Sequence, residues 1–119
     1  KPDLAIVALG ANDMLRGLAP RQTRADLDAI VAELKRRKIR VLIAGMIAAP
    51  NLGPAYAAEY NPIFADLARK YDAALYPFFL ANVAGVPRLA LADGMHPNFQ
   101  GIKVMVTGIV PDVMKTLAK

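Results

Sequence analysis

Three short apolar runs, each too short to be a helix that spans a core, alternate along the chain with stretches of helical periodicity. Leu4-Ala5-Ile6-Val7-Ala8-Leu9 ends at Gly10, Val41-Leu42-Ile43-Ala44-Gly45-Met46 follows about thirty residues later, and Ala73 to Phe78 forms a third. A continuous apolar run of this length reads as a strand buried on both faces, the kind found in parallel sheets. Between the runs, Leu27, Ile30, Val31 and Leu34 recur at helical spacing, which predicts a helix over about Arg21 to Arg37. Tyr56, Tyr60, Ile63, Phe64, Leu67 and Tyr71 predict a second helix, kinked or split at Pro62. A last helix is expected from about Asn98 to Leu117, with Ile102, Met105, Val106, Ile109, Val113 and Leu117 on its apolar side and a bend at Pro111. Gly10 to Pro20 and Ala48 to Pro54 read as loops, and Ala81 to Ala92 as irregular or partly helical. Strands alternating with helices imply crossover connections and a parallel sheet, hence an α/β architecture.

The first strand is of the buried type from its first apolar residue, yet three strands leave the sheet with two edges. Neighbouring strands supplied from elsewhere are therefore expected. The competing reading is a small, complete three-stranded domain, which would leave much apolar surface exposed.

Composition narrows the function classes. The chain is 55% hydrophobic and 21% charged, too apolar for disorder. Its net charge of +5 is scattered, with Lys35-Arg36-Arg37-Lys38 the only basic run. That run falls at a predicted helix end, where it suits the helix dipole, and no aromatic residues interleave with it, so nucleic-acid binding is not expected. The apolar runs are strand-sized, so no stable membrane anchor is expected either. There is no cysteine, which removes disulfides, thiolate catalysis and cysteine metal sites. One histidine and scattered carboxylates offer no ligand cluster, so neither metal nor cofactor is implied.

Two segments carry chemistry. The single histidine sits in Asp93-Gly94-Met95-His96-Pro97-Asn98. In a turn, the spacing of Asp93 and His96 folds the carboxylate back onto one imidazole nitrogen and leaves the other facing outward as a general base. Pro97 suits the first position of the following helix. By spacing alone, a helix cap with a bystander histidine serves equally. Gly10-Ala11-Asn12-Asp13 lies directly after the first strand, where ligands sit in open α/β sheets. Gly10 permits the tight turn and Asn12 can donate its amide to an oxyanion, though an ordinary Asn-Asp loop has the same residues.

Together these segments resemble the SGNH, or GDSL, family of serine hydrolases. Gly10-x-Asn12-Asp13 is similar to the family's third block and Asp93-x-x-His96-Pro97 to its fifth. The stretches Gly10 to Leu18, Pro50 to Tyr56, Pro77-Phe78-Phe79-Leu80 and Asp93 to Asn98 resemble the bacterial arylesterase, thioesterase I and lysophospholipase L1 branch. The resemblance implies a flavodoxin-like α/β/α sandwich and hydrolysis of acyl esters or thioesters through an acyl-enzyme. It implies His96 as base and then acid, Asp93 as its orienting group and Asn12 as one oxyanion donor. Gly10, Asp13, Met14 and Leu15 would line the substrate groove, with Met14 to Leu18 a mobile loop. Met46, Ile47 and Leu52 would form the opposite wall. Relatives in this branch are often periplasmic or secreted, and that is the preference here.

The family's nucleophilic Ser lies in its first block and a backbone oxyanion donor in its second, both upstream of the residues present. This chain has no serine, and its only aliphatic hydroxyls are Thr23, Thr107 and Thr116, on or beside predicted helices. The chain alone is therefore not expected to run the serine mechanism. The expectation is the C-terminal part of one hydrolase domain, with an N-terminal fragment carrying the Ser held in the folded sheet. Upstream residues present but unseen, or a truncated chain that folds differently, are the alternatives. A further alternative is an inactive binding module on the same scaffold.

Overall fold

The computed structural model describes all 119 residues. Strand β1 (Leu4–Val7) leads into a short helix α1 (Ala11–Leu15) and then α2 (Pro20–Arg36). Strand β2 (Arg40–Ala44) is followed by α3 (Gly53–Tyr60) and α4 (Ile63–Lys70), then β3 (Ala74–Tyr76) and α5 (Phe99–Leu117). The strands form one parallel sheet in the order β1-β2-β3, with Ile6 opposite Leu42 and Leu42 opposite Ala74.

Each element lies within a few residues of its predicted place. The expected long second helix is two helices, because Pro62 lacks the N–H that a continuous helix would use. The loop expected from Gly10 to Pro20 contains α1. The last helix, expected from about Asn98, begins at Phe99 with Asn98 as its cap, so Pro97 is not its first residue, and it continues through Pro111.

The two faces of the sheet are covered unequally. On one face, Val7, Val41 and Ile43 pack with Leu27 and Val31 of α2 and with Ile63, Phe64 and Leu67 of α4, in a cluster of 13 buried residues. On the other, Leu42 and Ala44 meet Ile109 of α5 in a cluster of only three. The difference has a geometric cause. Helix α5 lies over β2 and β3, and on the matching face of β1 Leu4 packs at the edge of this cluster while Ile6 is left uncovered. Ile6, on that face by register with Leu42, is 46% exposed. The expectation that the first strand is buried on both faces thus fails in this chain: β1 is an edge strand, sealed only on the side of α2. Along α5, Ile102, Val106 and Val110 form a stripe that is also exposed, although Ile102 and Val106 read as core positions in the sequence.

The basic run ends α2 and is held internally. Arg36 and Arg37 both pair with Glu33, and Lys35 donates to the Asp72 carbonyl. No helix is long and apolar enough to cross a membrane.

Helix α5 sets the position of the site. Its C-terminal end lies at the start of β2, where Arg40 donates to the Lys119 carbonyl at 3.0 Å. Its nineteen residues span about 28 Å at 1.5 Å per residue, against about 17 Å for the five residues of β2. Its N-terminus therefore projects beyond the carboxyl ends of the strands, on the side where β1 delivers Gly10.

Candidate active site

The loop before α5 is built by hydrogen bonds that leave the side chains of Asp93 and His96 exposed. Asn98 caps the helix, accepting the Gly101 amide at 2.9 Å through Oδ1. Its Nδ2 donates to the carbonyls of Arg88 and Ala90, tying the cap to the preceding 3₁₀ turn at Pro87–Leu89. Ala90 and Pro97 form an antiparallel bridge, with the Leu91 amide donating to the His96 carbonyl and the Asn98 amide to that of Leu89. Pro97 is thus part of this bridge and not the first residue of the helix. Gly101 allows the close approach, since a Cβ there would stand 2.3 Å from the Leu89 carbonyl oxygen.

Within this frame Asp93 folds back on His96. Oδ2 lies 2.6 Å from His96 Nδ1, and Oδ1 accepts the amides of Met95 at 2.9 Å and His96 at 3.0 Å. The hydrogen bond with the imidazole, helped by the two amides, pulls the Asp93 carboxyl down to about 2. It is ionised throughout the neutral range, and an ionised carboxylate selects the tautomer with the proton on Nδ1. Nε2 is then an acceptor facing solvent, as His96 is exposed. The spacing left open a helix cap with a bystander histidine. The cap exists, but it is Asn98, and the histidine is engaged by Asp93.

Asn12 occupies the first turn of α1, after the carboxyl end of β1. Gly10 makes the turn with φ of 105°, a conformation that favours glycine. Asn12 is exposed, and its side-chain amide has no partner within the chain. Asp13 commits its carboxylate to Thr23, whose buried hydroxyl donates to Oδ2 at 3.0 Å. Tyr56 donates to the Leu18 carbonyl at 2.6 Å, fastening the end of the segment after α1.

The residues expected to line a groove divide into two sets. Leu15 and Ile47 are exposed, and Leu52 is half-buried against the core. Met14 and Met46, at 4% and 8% exposure, are core residues instead. Met14 lies inward because α1 rotates that position toward the sheet, where its sulfur accepts the Ala49 amide. Neither presents its side chain at the surface of this chain.

The threonine hydroxyls all have partners: Thr23 on Asp13, Thr107 on the Lys103 carbonyl and Thr116 on the Asp112 carbonyl. No three His, Cys, Asp or Glu side chains gather where a metal ion could be held. A cavity of about 160 Å³ lies behind the Asp93–His96 loop, among Leu80, Val83, Val86, Met95 and Pro97.

Sequence reasoning missed Asn98 as the cap and read Tyr60 only as an apolar helix position. The Tyr60 hydroxyl donates to the Gly10 carbonyl at 2.9 Å, and Asn61 Oδ1 accepts the Ala48 amide at 2.7 Å. A tyrosine and an asparagine adjacent at the end of a helix, before a proline, were the available signal.

Comparison with known proteins places this geometry in context. A model of the GDSL-like Lipase/Acylhydrolase family matches residues 1–104. The chain is 38% identical over 117 residues to Esterase TesA of Pseudomonas aeruginosa, covering 98% of this chain and 58% of that protein. It is 35% identical over 98 residues to thioesterase 1/protease 1/lysophospholipase L1 of Escherichia coli K12, covering 82% of this chain and 47% of that one. Among solved structures it resembles AlinE4, an SGNH-hydrolase family esterase, at 50% identity and a TM-score of 0.76, over 97% of this chain and 61% of that one. The crystal structure of TesA matches with a TM-score of 0.90 at 32% identity, over 97% and 64%. The chain thus spans about half the length of the curated relatives it matches. The parallel sheet and its helices are those of the flavodoxin-like α/β/α sandwich of SGNH hydrolases, and these relatives are esterases and thioesterases.

Proposed function

The chain belongs to the GDSL-like lipase/acylhydrolase family, and from that premise we propose that its parent protein hydrolyses carboxylic esters, and thioesters with them, through an acyl-enzyme. Residues 1–119 are the C-terminal part of a single hydrolase domain, and the nucleophilic Ser comes from an upstream segment or a separate fragment. The absence of serine here, the greater length of the relatives and the uncovered face of β1 and α5 support this arrangement.

The observation that carries the reading is the Asp93–His96 pair, with one imidazole nitrogen engaged and the other free. In the proposed cycle, Nε2 of His96 takes the Ser proton as the hydroxyl attacks the acyl carbonyl. Asp93 keeps the ring in the right tautomer and stabilises the imidazolium. The side-chain amide of Asn12 donates to the oxyanion of the tetrahedral intermediate. His96 then protonates the leaving alkoxide or thiolate, and water repeats the sequence on the acyl-enzyme. Leu15 after β1, with Ile47 and Leu52 after β2, supplies apolar contacts to the acyl chain.

The test uses the full-length protein with p-nitrophenyl acyl esters and a fluorophosphonate. The expected result is turnover, with the adduct on one upstream serine and labelling strongly slowed by His96→Gln. No adduct and no turnover would leave an inactive module on the same scaffold.

A further inference from the structure

We propose that Tyr60 is a positioning residue for the oxyanion donor, its hydroxyl holding the Gly10 carbonyl and thereby fixing where the Asn12 side chain points. This rests on the oxyanion role assigned to Asn12 above.

Helix α1 has five residues, and a helix so short does not sustain itself, because nucleation outweighs the few hydrogen bonds gained. Its orientation must come from outside. Three contacts supply it: Met14 is anchored in the core, Thr23 holds Asp13, and Tyr60 holds Gly10. Only the last acts on the chain before Asn12. The Gly10 carbonyl accepts two hydrogen bonds, from the Met14 amide at 3.1 Å within the turn and from Tyr60 at 2.9 Å beneath it. The carbonyl belongs to the Gly10–Ala11 peptide plane, so holding it sets the direction in which the first turn leaves β1.

Tyr60 is built for a fixed position. It is fully buried, stacked on Tyr56 with ring centroids 5.8 Å apart and edge-on to Phe64 at 5.6 Å. A side chain with two torsions wedged between two rings has little freedom. Burial pushes its phenol well above the ordinary tyrosine range, so it remains a donor at any working pH. The next residue, Asn61, accepts the Ala48 amide at 2.7 Å, so the end of α3 holds the loops after both β1 and β2. The two loops that flank the site thereby share one support.

Tyr60→Phe in the full-length protein separates positioning from stability. Phe keeps the ring packing, and the Gly10 carbonyl retains the Met14 amide, so no buried group is orphaned and the variant folds. With p-nitrophenyl esters, kcat should fall about tenfold while KM stays within about twofold, since a small misplacement of a donor acts on the transition state. In an Asn12→Ala background the same Tyr60→Phe change should have no further effect on kcat, because the group it positions is gone. An unchanged kcat in the single variant, or an equal loss in both backgrounds, would overturn the proposal while leaving the role of Asn12 intact. Wild-type kcat in Asn12→Ala alone would overturn both.

Discussion

Asp93 engages both the ring and the backbone of His96: Oδ2 lies 2.6 Å from Nδ1, while Oδ1 accepts the His96 amide at 3.0 Å. The carboxylate therefore fixes the imidazole at two points of the same residue, and the ring can neither rotate away nor exchange tautomers without breaking contacts. The general-base role proposed for His96 requires this more than it requires burial, and the contacts form in an exposed loop.

The same contacts make the Asp93 carboxyl titrate at about 2, below the ordinary 3.8. Because the folded value is the lower, the pair's contribution to stability is present above the unfolded pKa and is lost as pH falls through about 2. A carbon-13 titration of the Asp93 carboxyl measures it directly. A midpoint near 3.8 would mean that the Met95 and His96 contacts do not form in solution. Asp93→Asn should lower kcat by on the order of 10²–10⁴-fold at neutral pH, since Asn stabilises the wrong tautomer.

Asn12→Ala should lower kcat by a hundredfold or more, equivalent to about 2.7–4 kcal/mol of transition-state stabilisation. Its side chain is exposed and takes no partner within the chain, so stability should change by less than about 0.5 kcal/mol. Steady-state kinetics decides it, and a loss confined to KM would remove Asn12 from the oxyanion role.

Gly101→Ala poses two opposed effects. Alanine favours a helix over glycine by about 1 kcal/mol. Against that, its Cβ would stand 2.3 Å from the Leu89 carbonyl oxygen, a backbone atom that cannot swing aside. Overpacking of this kind costs about 1–3 kcal/mol, so a net loss of stability is expected in urea denaturation. Activity should fall with it, because Leu89 also accepts the Asn98 amide in the loop that carries His96.

Val106 lies in the middle of the exposed stripe on α5. If the upstream part of the domain covers that stripe, Val106→Lys in the full-length protein places a charge in an apolar contact and should cost at least about 2 kcal/mol. Thermal unfolding measures this. A change within about 0.5 kcal/mol, as for any surface substitution, would show the face to be open.

The elements were legible because their periodicities are strong and local. The run at Leu4 to Leu9, the helical spacing of Leu27 to Leu34 and the break at Pro62 each declare themselves within a few residues. The Asp93–His96 pair was only half legible: its three-residue spacing suited a helix cap with a bystander histidine equally, and the family resemblance, not the spacing, favoured the paired reading. What stayed hidden involved partners far apart in the chain. Met14 and Met46 read as apolar groove residues because hydrophobicity says that a side chain avoids water, not whether a core or a substrate shelters it. Tyr60 read as one more apolar helix position because its hydroxyl finds Gly10 across fifty residues.

By itself, then, the sequence determined the α/β alternation, the family resemblance and the residues with reactive side chains, because these follow from local pattern and chemical type. Only the tertiary structure decided that the Asn98 side chain caps α5 while Pro97 pairs with Ala90, that Ile6 of β1 is left open on the side of α5, and that the end of α3 supports the loops after both β1 and β2. Those outcomes depend on which backbone groups and side-chain faces meet across the sheet, and packing geometry, not residue type, determines that.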